Sequence, residues 1–263
     1  MSGESEAGDG KAEREPTHTP DYIEHNREFW NNDAADYQAA HGDYLTQHPL
    51  AWGGFRKPES ELNVLGDVRG KDMLELGCGG AQWSIALRAT GARAVGLDLS
   101  REQLRHARQG SASVPVLVSN AEQLPFASAV FDVVFCDHGA MSFCDPALIL
   151  PEVARVLRPG GLLAFCAATP LLYLTWNMEK GTQSRRLHHT YDDLGLIDFD
   201  DGTVDWVLPP GEWIQVLRAH GFDIEDLIEL RPEADAPTTY TFVPGAWAHR
   251  WPAEWIWRAR LKR

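Results

Sequence analysis

The chain contains no apolar run long enough to cross a bilayer, no C-x-x-C cysteine pair, and too few bases to balance its acids. The first absence argues against a membrane protein. The four cysteines, at 78, 136, 144 and 166, lie mostly in or beside apolar strand-like stretches, so they read as core thiols in a reducing, cytoplasmic setting. With 24 Lys and Arg against 38 Asp and Glu, the formal charge is −14. Such a field repels phosphate backbones, so nucleic acid is not an expected partner and a small molecule is. The first 20 residues have almost no large apolar side chain to offset the entropy of ordering, and read as a disordered tail. Their polar, acidic start does not resemble a secretory signal.

What is present suits one sizeable core with additions, since 44% of the 263 residues are hydrophobic. Apolar runs and helical stretches alternate: strand 72–76, helix 81–90, strand 93–98, helix 101–109, strands 114–118 and 131–136, helix 147–157, strand 161–168. This order predicts an α/β fold with a doubly wound, largely parallel sheet and helices on both faces. Arg158-Pro-Gly-Gly161 is expected to end its helix with a left-handed glycine cap. Helix 211–220 and strands near 222–230 and 254–261 follow.

Three segments fall outside that alternation. Residues 21–66 carry Tyr22, Phe29, Trp30, Tyr37 and Tyr44 in otherwise helical sequence, which predicts short helices forming a lid. About 170–210 is too long for an ordinary connection and is rich in aromatics (Tyr173, Trp176, Phe199, Trp206), marking an inserted cap. Pro232 to Pro252 is a second unusual connection. The main domain then runs 67–263. Aromatic surfaces in the cap suit a planar or greasy ligand, or simple packing onto the sheet. The adjacent His188 and His189 have no acidic or histidine companions at ligand spacing, so no metal is expected.

Lys71-Asp-Met-Leu-Glu-Leu-Gly-Cys-Gly-Gly-Ala-Gln-Trp-Ser84 is the most informative stretch. It reads as a buried strand, a glycine turn that admits close backbone approach, and a helix. The next strand ends on Asp98, whose carboxylate can accept both hydroxyl protons of a ribose. Adenosine is the expected body of the ligand. A dinucleotide fingerprint starting at Gly77 needs glycine at 82, where Gln82 stands, so NAD loses ground.

The turn Glu75-Leu-Gly77-Cys78-Gly79-Gly-Ala81 resembles motif I of the class I S-adenosylmethionine-dependent methyltransferases, with Ala81 in place of the third glycine. Asn120-Ala-Glu-Gln-Leu-Pro-Phe126, Val130-Phe-Asp-Val-Val-Phe-Cys136 and Glu152-Val-Ala-Arg-Val-Leu-Arg-Pro-Gly-Gly161 look like later blocks of that family, in order. The resemblance, to small-molecule enzymes of the type 11 kind, implies a Rossmann-like seven-stranded sheet and S-adenosylmethionine as cofactor. It further implies that Gly77, Cys78 and Gly79 meet the methionine part and that Glu75 orients the turn or the amino group. Asp98 would hold the ribose, and Leu99 and Gln103 would border the adenine. Asn120 would accept from the adenine amino group, Ala121 would offer its N–H, Glu122 would assist, and Cys136 would lie on the cofactor side.

Methyl transfer requires nucleophile, carbon and sulfur held in line with water excluded. A hydroxyl acceptor benefits from a base. The resemblance places His138 where substrate arrives, with Asp137 able to orient it. The expected activity is methylation of a small molecule, such as a secondary metabolite, with oxygen favoured. The alternatives are aminopropyl or carboxymethyl transfer from the same cofactor, a non-catalytic cofactor-binding module, and an NAD enzyme.

Overall fold

The computed structural model describes residues 22–199 and 203–263. The expected tail, 1–20, lies outside them. The described chain opens with one helix, α1 (Tyr22–Gln47), not several short ones. No proline interrupts it between Pro20 and Pro49, and the single Gly42 is tolerated in a helix. Its side chains at 23, 26, 30, 33, 37, 41 and 45 recur at three- and four-residue spacing, so they share the face turned to the interior. A two-residue hairpin, β1 (Ala51–Trp52) with β2 (Lys57–Pro58), and one turn, α2 (Glu59–Leu62), lead into the core.

The core follows as β3 (Asp72–Leu76), α3 (Gln82–Ala89), β4 (Arg93–Asp98), α4 (Arg101–Gly110), β5 (Val116–Val118) and β6 (Phe131–Asp137). Then come α5 (Ala140–Phe143), α6 (Pro146–Val156) and the long β7 (Leu157–Ala168). The inserted segment holds α7 (Pro170–Leu174) and two antiparallel hairpins, β8 (Trp176–Asn177) with β9 (Thr182–Gln183) and β10 (Gly195–Asp198) with β11 (Val204–Val207). The chain closes with α8 (Pro210–Ala219), β12 (Phe222–Leu230), α9 (Gly245–Ala248) and β13 (Glu254–Leu261).

Seven strands form one sheet in the order β12-β13-β7-β6-β3-β4-β5. All pairs are parallel except those of β13, which runs antiparallel to β7 and β12. The strand order reverses between β3 and β6, so their carboxyl ends and that of β4 open into a crevice, the usual ligand position in such sheets. Apolar side chains bury both faces of the central strands: Leu74 and Val134 pack on one side, Met73 and Val133 on the other.

The Arg158-Pro-Gly-Gly161 expectation is corrected. Helix α6 stops at Val156, and Leu157 is already extended (ψ 142°) and paired with Phe131. The left-handed Gly160 (φ +79°) sits in a bulge of β7, between the Phe131–Leu157 and Val133–Leu162 pairs. Burial of Phe131 and Leu157 draws the chain into the sheet before a glycine cap can form.

The insert has its own small core of Leu174, Leu194, Ile197 and Val207. Asn26 ties α1 to it: its amide donates to Val204 O and accepts from Val204 N, both at 3.0 Å, as a neighbouring strand would. Trp247 Nε1 donates to Ser184 O at 2.9 Å, bringing the 232–252 connection beside the insert.

Candidate active site

The glycine turn leaves β3 with Gly77 N and Cys78 N donating to Leu97 O at 2.8 and 2.9 Å, which fastens it to β4. Gly77 has φ +70°, and a Cβ there would lie 2.6 Å from Gly139 Cα and nearer still to Ala140 N. Its missing side chain therefore serves loop-on-loop packing between the ends of β3 and β6. Gly79 differs. With φ +50°, its hypothetical Cβ would meet only Gln103 Oε1, at 3.7 Å, so its open side faces the crevice. Ala81, in place of the third glycine, is also left-handed (φ +56°), a conformation costing an alanine about 1–2 kcal/mol.

Asp98 lies under this turn, buried, with Oδ2 accepting from Gly79 N at 2.7 Å and Oδ1 from Ser100 N at 2.8 Å. The Leu99 N–H also engages this carboxylate, which keeps lone-pair capacity for a further donor. Burial pushes its pKa up to about 6, against the opposing pull of these backbone N–H groups. Glu75, also buried, accepts from Ser84 N at 2.9 Å and Ser84 Oγ at 2.5 Å, so it anchors the start of α3. Burial raises its pKa to about 8, outweighing the two bonds from Ser84. Cys78 packs against Gly96, and burial lifts its thiol well above the ordinary range, which makes it inert.

The remaining cofactor-side candidates separate into two groups. Leu99, Gln103, Asn120 and Ala121 line the crevice. Gln103 Oε1 accepts from Gln38 Nε2 of α1 at 2.8 Å, and Gln38 Oε1 accepts from Gln82 Nε2 at 3.3 Å, a relay of three amides across the turn. Asn120 Oδ1 already accepts from Glu122 N at 3.0 Å in a local turn, so its carbonyl is partly used.

Glu122 and Cys136 are corrections, since neither lines the crevice. The Glu122 carboxylate accepts from the Tyr22 hydroxyl and from Asp145 N (2.9 Å), pinning α1 and the start of α6. Cys136 is fully buried, its Sγ accepting from Gly139 N at 3.2 Å and Met141 N at 3.5 Å. It shapes the 139–141 loop from behind the site, and burial pushes its pKa to about 12.

At the end of β6 the expected Asp137–His138 pairing is replaced by another. Asp137 Oδ2 accepts from Arg56 Nη1 at 2.7 Å and Trp83 Nε1 at 3.2 Å, and Oδ1 accepts from Gly53 N at 2.9 Å. His138, left-handed at φ +53°, places Nε2 2.7 Å from Glu254 Oε1 and 3.5 Å from Cys166 Sγ. Glu254 orients the imidazole. With Nε2–H donated to that carboxylate, Nδ1 carries the lone pair and can accept a proton. Burial alone would lower the His138 pKa, but the Glu254 carboxylate, with Asp137 and Asp205 adding, holds it above the ordinary value. Donor atoms of Asp137, His138 and Cys166 lie within 4.8 Å of one another, but Arg56 and Glu254 already engage the first two. His188 Nε2 instead pairs with Ser184 Oγ at 2.8 Å, while the His189 ring stacks on Tyr173 at 4.4 Å, so the neighbours diverge.

Both ends open into one cavity of about 730 Å³, within the range of roughly 300–1,000 Å³ usual for ligand sites. Helix α1 covers it with Trp30, Tyr37 and His41, and the insert contributes Tyr173, Trp176 and Phe199. The Tyr37 and Tyr240 hydroxyls bond at 2.7 Å, and His41 stacks on Tyr240 at 4.3 Å, fastening α1 to the 232–252 connection. Arg56 and Glu254 escaped sequence reasoning because their partners are 81 and 116 positions away in the chain. One signal was available: Glu254 opens an apolar run, Ala253-Glu-Trp-Ile-Trp257, where a carboxylate must find partners.

The family described as "Methyltransferase domain" matches residues 74–165. A malonyl-[acyl-carrier protein] O-methyltransferase of Hamiltonella defensa subsp. Acyrthosiphon pisum is 35% identical over 105 residues, covering 40% of each chain. A demethylmenaquinone methyltransferase of Lactococcus lactis subsp. lactis is 30% identical over 144 residues, covering 51% of this chain and 55% of its own. The chain thus spans about half or less of the length of these curated relatives. In three dimensions it is similar to a putative S-adenosylmethionine-dependent methyltransferase from Listeria monocytogenes (TM-score 0.64, 22% identity, 78% of this chain and 98% of that one). No described helix is long and apolar enough to cross a membrane.

Proposed function

Because residues 74–165 belong to the class I S-adenosylmethionine-dependent methyltransferases, we propose that the whole chain methylates a small-molecule acceptor at oxygen. The observation that carries this reading is the single cavity joining the Gly79–Asp98 cradle to the His138–Glu254 pair. The residues present fit the cofactor: an open glycine at the turn, a buried carboxylate with spare lone pairs, and the apolar side chain of Leu99 beside them. When bound, the cofactor supplies an electrophilic methyl group and is left as S-adenosylhomocysteine.

The chain's own residues supply the rest. Asp98 holds the ribose hydroxyls, Gly77 to Gly79 admit the methionine part, and Leu99, Asn120 and Ala121 border the adenine. His138 takes the acceptor's hydroxyl proton at Nδ1, while Glu254 holds Nε2–H and stabilises the imidazolium that forms. Helix α1 acts as a lid and the 170–210 insert as a cap, excluding water from the reacting atoms. Incubation with S-adenosylmethionine and a panel of hydroxylated acceptors tests this. Formation of S-adenosylhomocysteine together with an acceptor heavier by one methylene supports it; cofactor binding with no turnover across the panel overturns it in favour of a binding module.

A further inference from the structure

We infer that the mouth of the cavity docks on the surface of an anionic lipid bilayer, from which an acceptor dissolved in the lipid enters directly. The entry of an acceptor rests on the methyltransferase reading above; the docking does not. Among the described residues lining the cavity, Phe242 alone is exposed (48%), so it stands where the cavity meets solvent. The Trp176 ring, also in the wall, lies 6.4 Å from it. Beyond this rim the apolar surface continues onto the insert, where Met178 is 54% exposed and Leu187 67%. These two belong to one local unit. Trp176 pairs with Gln183 across the β8–β9 hairpin, Ser184 Oγ meets His188 Nε2 at 2.8 Å, and Asn177 Nδ2 lies 3.5 Å from the same nitrogen. Large apolar side chains left in water beside a cavity mouth mark a surface that is covered in use.

Charge indicates what covers it. Residues 176–189 hold three bases, Lys180, Arg185 and Arg186, against one acid, Glu179, in a chain of formal charge −14. All three bases are exposed, and none has an ion-pair partner among the described residues. Apolar tips flanked by unpaired Lys and Arg fit lipid phosphates lying over hydrocarbon: the tips enter the acyl boundary and the cations meet the headgroups. A polyanionic protein segment would satisfy the bases alone; the apolar tips favour lipid. Acids elsewhere on the molecule, beyond a Debye length of about 8–10 Å, are screened from that surface at physiological salt. The contact is peripheral, since no described helix is long and apolar enough to cross a membrane.

The test is co-sedimentation of the full chain with vesicles of phosphatidylcholine, alone or mixed with phosphatidylglycerol. Binding to the mixed vesicles is expected to be about tenfold or more tighter than to phosphatidylcholine alone, and to weaken as salt is added. The double variants Arg185→Glu with Arg186→Glu, and Met178→Asn with Leu187→Asn, change exposed side chains outside the cavity wall. Each should weaken vesicle binding about tenfold or more, with S-adenosylhomocysteine affinity and thermal unfolding as in the parent. No sedimentation with either vesicle, equal binding to both, or binding that either double variant leaves unchanged overturns the inference. Capture by polyglutamate without capture by vesicles overturns it in favour of an acidic protein partner. Failure to bind S-adenosylhomocysteine overturns the methyltransferase reading instead, which keeps the two distinguishable.

Discussion

The two ends of the cavity are built by different means. The cofactor end is made of backbone: glycines in left-handed conformations, amides donating to Asp98, and strand ends from one stretch between 75 and 121. The acceptor end is made of side chains gathered from 30 to 56, 137 to 138, 172 to 207 and 240 to 254. A backbone site holds the part of a reaction that does not vary, because its geometry comes with the fold. A side-chain site can be rebuilt one residue at a time, so the choice of acceptor belongs there.

If this division is right, substitutions at each end should move different observables. His138→Ala should lower turnover about 10²–10⁴-fold while cofactor affinity holds. In Glu254→Gln the imidazole loses the carboxylate that raises its pKa, and since the base must be neutral, activity appears as pH rises through that value. The limb of the pH–rate profile should therefore move to lower pH; an unmoved limb would reduce Glu254 to a structural role. Asp98→Ala removes two charge-assisted hydrogen bonds to the ligand, each worth about 1.5–3 kcal/mol, so cofactor affinity should fall about a hundredfold or more by calorimetry.

Within the turn itself, Gly77→Ala and Gly79→Ala sharpen the contrast between packing and approach. The first drives a methyl group into the Gly139–Ala140 backbone, so thermal unfolding should show a loss of about 3 kcal/mol or more. The second meets only the Gln103 side chain, and should cost about 1 kcal/mol of stability while impairing cofactor binding.

Glu75 and Asp98 also set a pH dependence. Their folded pKa values, about 8 and about 6, are raised above the ordinary 4.5 and 3.8, so the folded state holds protons that the unfolded chain releases. Stability from these two groups is fully present below those ordinary values and is lost as pH rises, through about 6 for Asp98 and about 8 for Glu75. The melting temperature of Glu75→Gln should be flatter across the higher of these windows than that of the parent. The smallest effect is expected from Ala81→Gly, which relieves a left-handed alanine and should stabilise the fold by about 1 kcal/mol, less what a more flexible unfolded chain takes back.

The same division explains what could be read from the sequence. The order of strands and helices and the glycine turn followed by Asp98 were legible because each depends on short-range pattern. Glu122 and Cys136 were assigned to the cofactor by position in a motif, yet Glu122 bonds Tyr22, a hundred residues away, and Cys136 faces the loop behind the site. The acceptor of the His138 proton was sought in the adjacent Asp137, which long-range burial had already paired with Arg56. Helix α1 was legible as helical, and the lack of any proline between Pro20 and Pro49 already allowed one piece; what was not legible is its docking to the insert through Asn26 and to the 232–252 connection through Tyr37.

Calorimetric titration with S-adenosylmethionine, S-adenosylhomocysteine and NAD, near neutral pH and again below about pH 6 where Asp98 takes up its proton, tests the central claim most directly. The account predicts micromolar binding of the first two, weaker at the lower pH, and none of NAD. Binding of NAD in preference, or silence towards all three, would contradict it.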